Sequence, residues 1–378
     1  MIGPGSTVGI VGGGQLARMD AMAARAMGYR VVIADPDPDC PAAHVADRVV
    51  AAPLNSPEGV APLAGLCDVV TYEFENIAPA VLERIAEETP VYPAVSVLRA
   101  CQNRILEKQA LTAAGVPVAP WRPVTSREEF DAALEAIGVP CVLKTATEGY
   151  DGKGQVVIHT PSEGPAAFEK LAGRPLVLEG FVPFEREVSV VVARSTTGEV
   201  ATFPVAENIH RNNILALSIV PARVSPDTAQ AARDLAIRVA QHLGLVGLLG
   251  VEMFAMPDGK LLVNELAPRP HNSGHYTMDA CVTSQFEQHI RAVCGLPLGE
   301  VELLSPVVMA NIMGEDYPLD VAAALSDRRV KLHLYGKREA RPGRKMGHLN
   351  VTAPTVEEAL ERAQRAKARI SGRTEEVR

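Results

Sequence analysis

The chain has 378 residues, of which 47% are hydrophobic and 22% charged, enough for two or three globular domains each with its own core. A formal net charge of −8 excludes general affinity for nucleic acid or an anionic membrane and does not bear on small anions. The longest apolar run, 243–251, falls well short of the roughly 20 residues of a membrane helix. No basic-then-apolar leader opens the chain, and six scattered cysteines lack a CxxC pair, so a reducing, cytoplasmic setting is expected.

In chain order, Thr7–Val11 reads as a strand, Gln15–Met27 as a helix, Val31–Ala34 and Asp68–Tyr72 as strands, and Pro79–Glu88 as a helix. Strands alternating with helices predict an α/β fold that opens with a parallel sheet. Residues 12–17 spell G-x-G-x-x-A between the first strand and first helix, and Asp35 ends the next strand. That spacing suits a phosphate, of a dinucleotide or otherwise, at a helix N-terminus; a tight turn without a ligand is the alternative. A helix over about Val95–Ala114 stops at Gly115, and proline-rich residues 116–123 follow, with Trp121 expected to pack there. The expected domains are therefore 1–115, 116–185 and 186–378.

The central part carries predicted strands at Val139–Thr145, Gln155–His159 and Leu176–Glu179. Lys144 ends an apolar strand and leads into a loop with three glycines in six residues, 149–154. The loop is no Walker A motif, because Gly-Lys-Gly stands where Gly-Lys-[Ser/Thr] is needed and no helix follows. It suits a flap between antiparallel strands whose N–H groups cover a phosphate, with Lys144 as the fixed charge, and taken alone it equally suits an ordinary hairpin tip. From Glu187 onward the pattern is strand-rich, with helices at Thr228–Leu243 and about Met278–Cys294, strands at Val307–Met313 and Lys331–Tyr335, and a last helix from Val356.

Residues 248–265 form two apolar runs around Asp258-Gly259, a favoured pair for a two-residue hairpin turn. With that turn, Glu252 and Glu265 oppose each other, sharing a face with Phe254, Met256, Leu261 and Val263. Two like charges on an apolar face repel and lose hydration, a conflict that a divalent cation resolves; oxygen-only ligands suit Mg²⁺ beside nucleotide phosphates. Residues 337–345 hold five basic residues in nine, read either as a solvated loop or as a phosphate site. His271 and His275 have i,i+4 spacing, but Pro268, Pro270 and Gly274 break the helix a zinc pair needs.

Lys144, the loop 149–155 (GYDGKGQ), the segment 178–190 (LEGFVPFEREVSV) and the Glu252/Glu265 hairpin together resemble the ATP-grasp superfamily. Within it, 71–77 (TYEFENI), 149–155, 264–275 (NELAPRPHNSGH) and 335–348 (YGK…RPGRKMGH) are similar to the N5-carboxyaminoimidazole ribonucleotide synthases, and the likeness runs over nearly the whole chain. A formate-dependent ribonucleotide transformylase is the nearest alternative, although TYEFENI and the Tyr-Asp of the loop favour the carboxylase. An NAD-dependent dehydrogenase or a catalytically silent nucleotide-binding protein are more distant ones.

The resemblance implies an ATP-grasp architecture with a Rossmann-like N-terminal domain, a small central α/β lid and a larger C-terminal α+β domain. It implies a carbon–nitrogen ligase of purine biosynthesis that acts as a homodimer. Its substrates would be ATP, bicarbonate and aminoimidazole ribonucleotide, its cofactor Mg²⁺ as two ions, and its intermediate carboxyphosphate. Arg104 and Lys144 would contact ATP, and Gly149, Tyr150, Asp151, Gly152, Lys153, Gly154 and Gln155 would close over the triphosphate. Glu179 and the Val182 backbone would read the adenine, flanking Gly180 and Phe181, and Glu187 would take the ribose; His210 and Asn264 would make lesser contacts. Glu252 and Glu265 would hold metal. Gly14, Gln15, Glu73, Asp151, Lys337 and Arg344 would surround the ribonucleotide, and Arg269, His271 and Asn272, with Lys144, would form the catalytic set around bicarbonate. One departure is Ala267, where many of these enzymes carry an Asn metal ligand.

Overall fold

The computed structural model describes residues 1–147 and 154–371. The strands form three sheets. The first is parallel, in the order Arg48–Ala51, Arg30–Asp35, Thr7–Val11, Val69–Tyr72. Thr7–Val11 is buried at every position, as a strand covered on both faces must be, which is why it reads as an unbroken apolar run. The second sheet is antiparallel, in the order Trp121–Val124, Leu176–Gly180, Cys141–Thr145, Gln155–Ile158. The proline-rich stretch is thus partly an edge strand, with Trp121 paired to Glu179, and Val263 N–H bonds back to Pro117 O at 2.8 Å.

The third sheet is the largest and carries the floor of the cleft. Its order is Leu261–Ala267, Gly247–Ala255, Arg186–Arg194, Ala206–Arg211, Ile214–Val220, Val307–Met313, Lys345–Thr352, Val330–Leu334, with Val200–Thr202 added beside Arg186–Arg194. Helix Pro226–His242 packs Ala232, Ala236, Val239 and Ala240 against Val188, Val190, Leu249, Val251 and Val263. Ser225 caps that helix by accepting from Thr228 N–H, and Pro226 occupies the first turn, where its missing N–H costs nothing. One face of the sheet is thereby closed, and the other is left for the cleft.

Two predicted helices are each divided. The helix expected over Val95–Ala114 is Val95–Gln102 followed by Arg104–Ala113, because Asn103 leaves helical geometry (φ −129°, ψ 114°) and caps the second piece through its side chain. The break directs Arg104 toward the second sheet, where its N–H bonds to Ala146 O at 2.8 Å. The helix expected over Met278–Cys294 is Thr277–Ala280 and then Gln285–Cys294, started afresh by the Ser284 cap. The basic stretch 337–345 runs directly into a strand, Lys345–Thr352, that the sequence reading did not foresee.

Asp20 stands out in the packing. It is fully buried on helix Gln15–Ala26, and neither carboxylate oxygen has a hydrogen-bond partner. Burial, reinforced by Glu73, raises its pKa well above the ordinary carboxylate range. A raised folded-state pKa means that the folded chain keeps a proton the unfolded chain releases, so its stabilising share is present in acid and lost as pH rises. Asp20→Asn removes this titration. Its melting temperature relative to the parent should therefore climb as pH rises above about 4, the ordinary aspartate value, and a pH-independent difference would contradict the assignment.

Candidate functional site

The two glutamates do face each other, but by a route the sequence did not suggest. The hairpin turn has three residues, Pro257, Asp258 and Gly259, closed by Met256 N–H to Lys260 O at 2.8 Å with Gly259 at φ +81°. That slips the register by one, pairing Ala255 with Leu261 and Met253 with Val263. A bulge at Asn264 then restores it, so that Glu252 pairs with Glu265. The slip corrects the expected companions: Leu261 and Val263 join Met253 in the core, Met256 sits half-buried beside the turn, and only Phe254 lines the cleft with the carboxylates. The bulge also turns Asn264 and Glu265 together into the cleft.

A bulge leaves ladder groups unpaired, and here one helix supplies their partners. Lys108 Nζ donates to Asn264 O at 3.0 Å, and Glu107 accepts from Leu266 N–H at 3.1 Å. Both side chains are 1% exposed, although they are adjacent charged residues in helix Arg104–Ala113. Burial pushes the Glu107 pKa up to about 8, with Lys108 opposing the shift. These two residues carry no motif signal; fully buried charged neighbours on a helix could not be told from a solvated face by sequence.

The cleft they border has a volume of about 540 Å³. Val142, Val157, Phe181, Phe184, Leu215 and Phe254 make one wall apolar, and Phe184 and Phe254 stack at 4.6 Å with their planes 8° apart. The other wall is charged. Lys144 Nζ lies 3.1 Å from Glu179, which Lys108 also approaches at 3.6 Å. Burial would raise the Glu179 pKa, but Lys108 and Lys144 outweigh it and keep the carboxylate ionised. Arg104 lies 3.6 Å from Glu265, Arg269 lies 2.8 Å from Glu75, and His210 lies 2.5 Å from Glu187. Burial disfavours the charged His210 ring, yet Glu187 raises its pKa overall.

The opposed carboxylates are treated unequally. Burial works against ionising either one, but His271 Nε2, 3.0 Å from Glu252, holds that group well below the usual carboxylate range. Glu265 is raised by burial and by Glu252, with Arg104 opposing, although its side chain is 48% accessible from the open cleft. His271 is itself held by Gln285, whose Oε1 accepts from its N–H at 2.9 Å and whose Nε2 donates to its C=O at 2.8 Å. Asn272 and Asn311 form a reciprocal amide pair at 2.7 and 3.1 Å. Gln285 and Asn311 lie in apolar helical and strand segments and were also missed by sequence.

Of the residues singled out by sequence, Arg104, Lys144, Gln155, Glu179, Gly180, Phe181, Val182, Glu187, His210, Glu252, Asn264, Glu265, Arg269, His271 and Asn272 all line this one cleft. Gly154 is the first described residue after the loop, and its carbonyl accepts from Thr145 N–H at 2.8 Å. Gly149, Tyr150, Asp151, Gly152 and Lys153 lie outside the described residues. Gly14, Gln15, Glu73, Lys337 and Arg344 are not in the lining of the cleft. Glu73 and Lys337 are near enough to influence each other, and burial with Arg344 nearby lowers the Lys337 pKa to about 8.

The glycine-rich turn does not offer its N–H groups to a phosphate. Gly13 N–H donates to Asp35 at 2.8 Å, and Gly14 N–H and Ala17 N–H both donate to Glu73. A Cβ on Gly13 would lie 2.2 Å from Cys40 Sγ, so the glycine is required by packing. Two carboxylates of the chain fill the anion site themselves, which corrects the expectation of a bound phosphate and removes the motif's support for a dinucleotide.

The chain matches the ATP-grasp domain over residues 109–286, the ribonucleotide synthetase preATP-grasp domain over 5–102, and the phosphoribosylaminoimidazole carboxylase C-terminal domain over 307–362. It is 50% identical to the N5-carboxyaminoimidazole ribonucleotide synthase of Brucella melitensis over 353 residues, which span 93% of this chain and 97% of the relative. Among solved structures, an ADP complex of an N5-carboxyaminoimidazole ribonucleotide synthetase superposes with a TM-score of 0.92 at 49% identity, covering 97% of both chains. An Aspergillus clavatus N5-carboxyaminoimidazole synthase in complex with ADP and 5-aminoimidazole ribonucleotide superposes with a TM-score of 0.90 at 35% identity, covering 96% of this chain and 97% of that one.

If Lys108 braces the bulge, Lys108→Met should lower stability in urea unfolding by about 1–3 kcal/mol, the usual cost of a buried group left without its partner. An unchanged unfolding midpoint would show that the Asn264 carbonyl needs no such donor.

Proposed function

The chain belongs to the N5-carboxyaminoimidazole ribonucleotide synthase family of ATP-grasp ligases, and we propose that its cleft works through the residues that now line it. The reaction is the ATP-dependent carboxylation of 5-aminoimidazole ribonucleotide to N5-carboxyaminoimidazole ribonucleotide, a step of purine biosynthesis. The observation that carries the assignment of roles is Glu252 facing Glu265 at the charged end of a half-apolar cleft.

The apolar wall suits a purine ring, with Glu179 and the backbone of 180–182 at its edge and Glu187 toward the ribose. Lys144 and Arg104 would exchange their carboxylate partners for phosphate oxygens. Glu252 and Glu265 offer only oxygen donors, and no group of three or more His, Cys, Asp or Glu side chains among the described residues is placed to hold a metal. Two carboxylates suit Mg²⁺, which commonly completes its shell with phosphates and water, so these residues fit the ion. When bound there, Mg²⁺ supplies charge stabilisation for phosphoryl transfer.

Bicarbonate is a poor electrophile, so in this reading one of its oxygens attacks the γ-phosphorus, ADP leaves, and carboxyphosphate forms. The exocyclic amine of the ribonucleotide then attacks the carboxyl carbon, or the CO₂ released from it, with loss of phosphate and a proton. Arg269 would grip the planar anion through its guanidinium fork, released from Glu75, with His271 and Asn272 beside it. The segment 149–155 would exclude water from the short-lived intermediate. Lys337 and Arg344 would take the ribonucleotide phosphate, with Glu73, Gly14, Gln15 and Asp151 around the remainder. We further place the enzyme in the cytoplasm as a homodimer, with domains at 1–115, 116–185 and 186–378. The six free thiols agree with a reducing compartment, and no helix among the described residues is long and apolar enough to cross a membrane.

ADP release should require both the ribonucleotide and bicarbonate; release indifferent to the ribonucleotide would end the assignment of this site. Glu265→Ala should fold normally and lose turnover, and near-parental turnover would remove the magnesium role. Lys337→Ala should raise KM for the ribonucleotide roughly 10- to 100-fold, as expected for a charged hydrogen bond of about 1.5–3 kcal/mol, and leave KM for ATP largely unchanged. Because Lys337 carries its charge below a pKa of about 8, KM for the ribonucleotide should rise above that pH. Lys337→Arg should abolish that rise, and a profile identical in both proteins would exclude Lys337 as its source.

A further inference from the structure

Three neighbouring strands of the large sheet each carry one polar side chain on the same buried path. Ser189 lies in Arg186–Arg194, Asn208 in Ala206–Arg211 and Ser218 in Ile214–Val220, and Asn208 and Ser218 are directly paired. They are 1%, 5% and 0% exposed, and the strand partners of Ser189 and Asn208 are Glu252 and Glu187. Polar groups at such depth are costly unless bonded, so their hydrogen bonds define an ordered chain. Ser218 Oγ donates to Asn208 Oδ1 at 2.9 Å, and Asn208 Nδ2 donates to Ser189 Oγ at 2.8 Å. Ser189 Oγ is 2.7 Å from Ser273 Oγ, which is 2.7 Å from His271 Nδ1.

The amide orients one end of the chain and the Ser273 backbone N–H, aimed at His271 Nδ1, orients the other. Because Nδ2 of Asn208 donates to Ser189, the Ser189 hydroxyl is free to donate to Ser273, and a Ser273 hydroxyl that accepts it is free to donate to His271 Nδ1. Nδ1 is then an acceptor, which its second neighbour, Ser273 N–H at 3.3 Å, also requires. At the far end Nε2 lies 3.0 Å from a Glu252 oxygen, a distance that suits a proton on that nitrogen facing a carboxylate that can only accept. The ring cannot turn away easily, because it packs flat on the chain where a Cβ on Gly250 would fall 2.8 Å from His271 Cγ.

We propose that the buried chain Ser218–Asn208–Ser189–Ser273 fixes His271 as its Nε2–H tautomer, so that His271 meets the cleft as a hydrogen-bond donor to Glu252 and not as a proton acceptor. Ser189, Asn208 and Ser273 are then positioning residues, and the proton lost by the substrate amine goes to an acceptor other than Nε2 of His271. The functional importance of the arrangement rests on Glu252 being a metal ligand, but the tautomer itself does not.

Nitrogen NMR of the full chain with ¹⁵N-labelled histidine, without nucleotide, reads the tautomer directly; the His271 signals among the nine histidines are those lost in His271→Asn. A pyrrole-type Nε2 and a pyridine-type Nδ1 are expected. A proton on Nδ1, an imidazolium pattern or averaged signals would overturn the proposal. Asn208→Asp is nearly isosteric but can only accept, so it should reverse the chain and place the proton on Nδ1 of His271. Its kcat should fall about tenfold or more, as for partners that orient a metal ligand, with KM for the ribonucleotide little changed. An unaltered His271 spectrum in folded Asn208→Asp would also overturn it. If that variant does not fold, Ser189→Ala cuts the same chain and should produce mixed tautomers, and an unmixed Nε2–H spectrum would count against the inference. An Nε2–H tautomer in a protein whose turnover survives Glu265→Ala would keep this inference while the magnesium reading fails.

Discussion

Two carboxylates facing one another across adjacent strands repel, and most of the architecture around the cleft answers that repulsion. At separations of about 5 Å, like charges in a protein cleft interact more strongly than they would in bulk water. The chain answers with a cation or donor for each side: Arg104 beside Glu265, and His271 beside Glu252. The responses are unequal, lowering one pKa and raising the other. A site arranged in this way is ready for added positive charge, because a cation would relieve a strain that the protein has only partly relieved itself.

The same principle extends along the charged wall. Lys144 is held by Glu179, Arg269 by Glu75 and His210 by Glu187. The cations of this wall are thus already paired with anions of the protein. Burial pulls the Lys144 pKa down and Glu179 opposes that shift, while Glu75 holds Arg269 in place. The arrangement has a consequence for affinity: each new contact to a phosphate or a carboxylate replaces an existing one. Net binding energy is then a difference between partners, smaller than the contact list suggests, and more sensitive to geometry than to charge alone.

The sequence made the large features legible where a single period or a specific spacing reports them. Thr7–Val11 and Val307–Met313 emerged with the predicted limits, and the fold class followed from alternating strands and helices. The glutamate pairing was legible for the wrong reason, since a three-residue turn and a bulge at Asn264 offset one another. No local pattern announces that bulge; its supports, Glu107 and Lys108, lie more than 150 residues away in the chain. The helix break at Asn103 was readable in principle, as Asn is a favoured N-cap, but the apolar period continued through it. Buried polar residues such as Ser189, Asn208 and Gln285 stayed hidden because nothing in the neighbouring sequence separates a buried hydroxyl or amide from a solvated one.

The glycine-rich turn shows how a correct local geometry can lead to a wrong ligand. Strand, tight turn and helix are all present, with backbone N–H groups gathered as an anion site requires. What the motif cannot report is whether the anion comes from outside. Here Asp35 and Glu73 provide it, and the second of them stands within electrostatic reach of Lys337, from the far end of the sequence. Filling the turn with the chain's own carboxylate therefore does more than stabilise the first helix. It also sets an acid that follows the parallel sheet within electrostatic reach of a base from the C-terminal region, so the carboxylate that orders the turn also bears on the charge of Lys337.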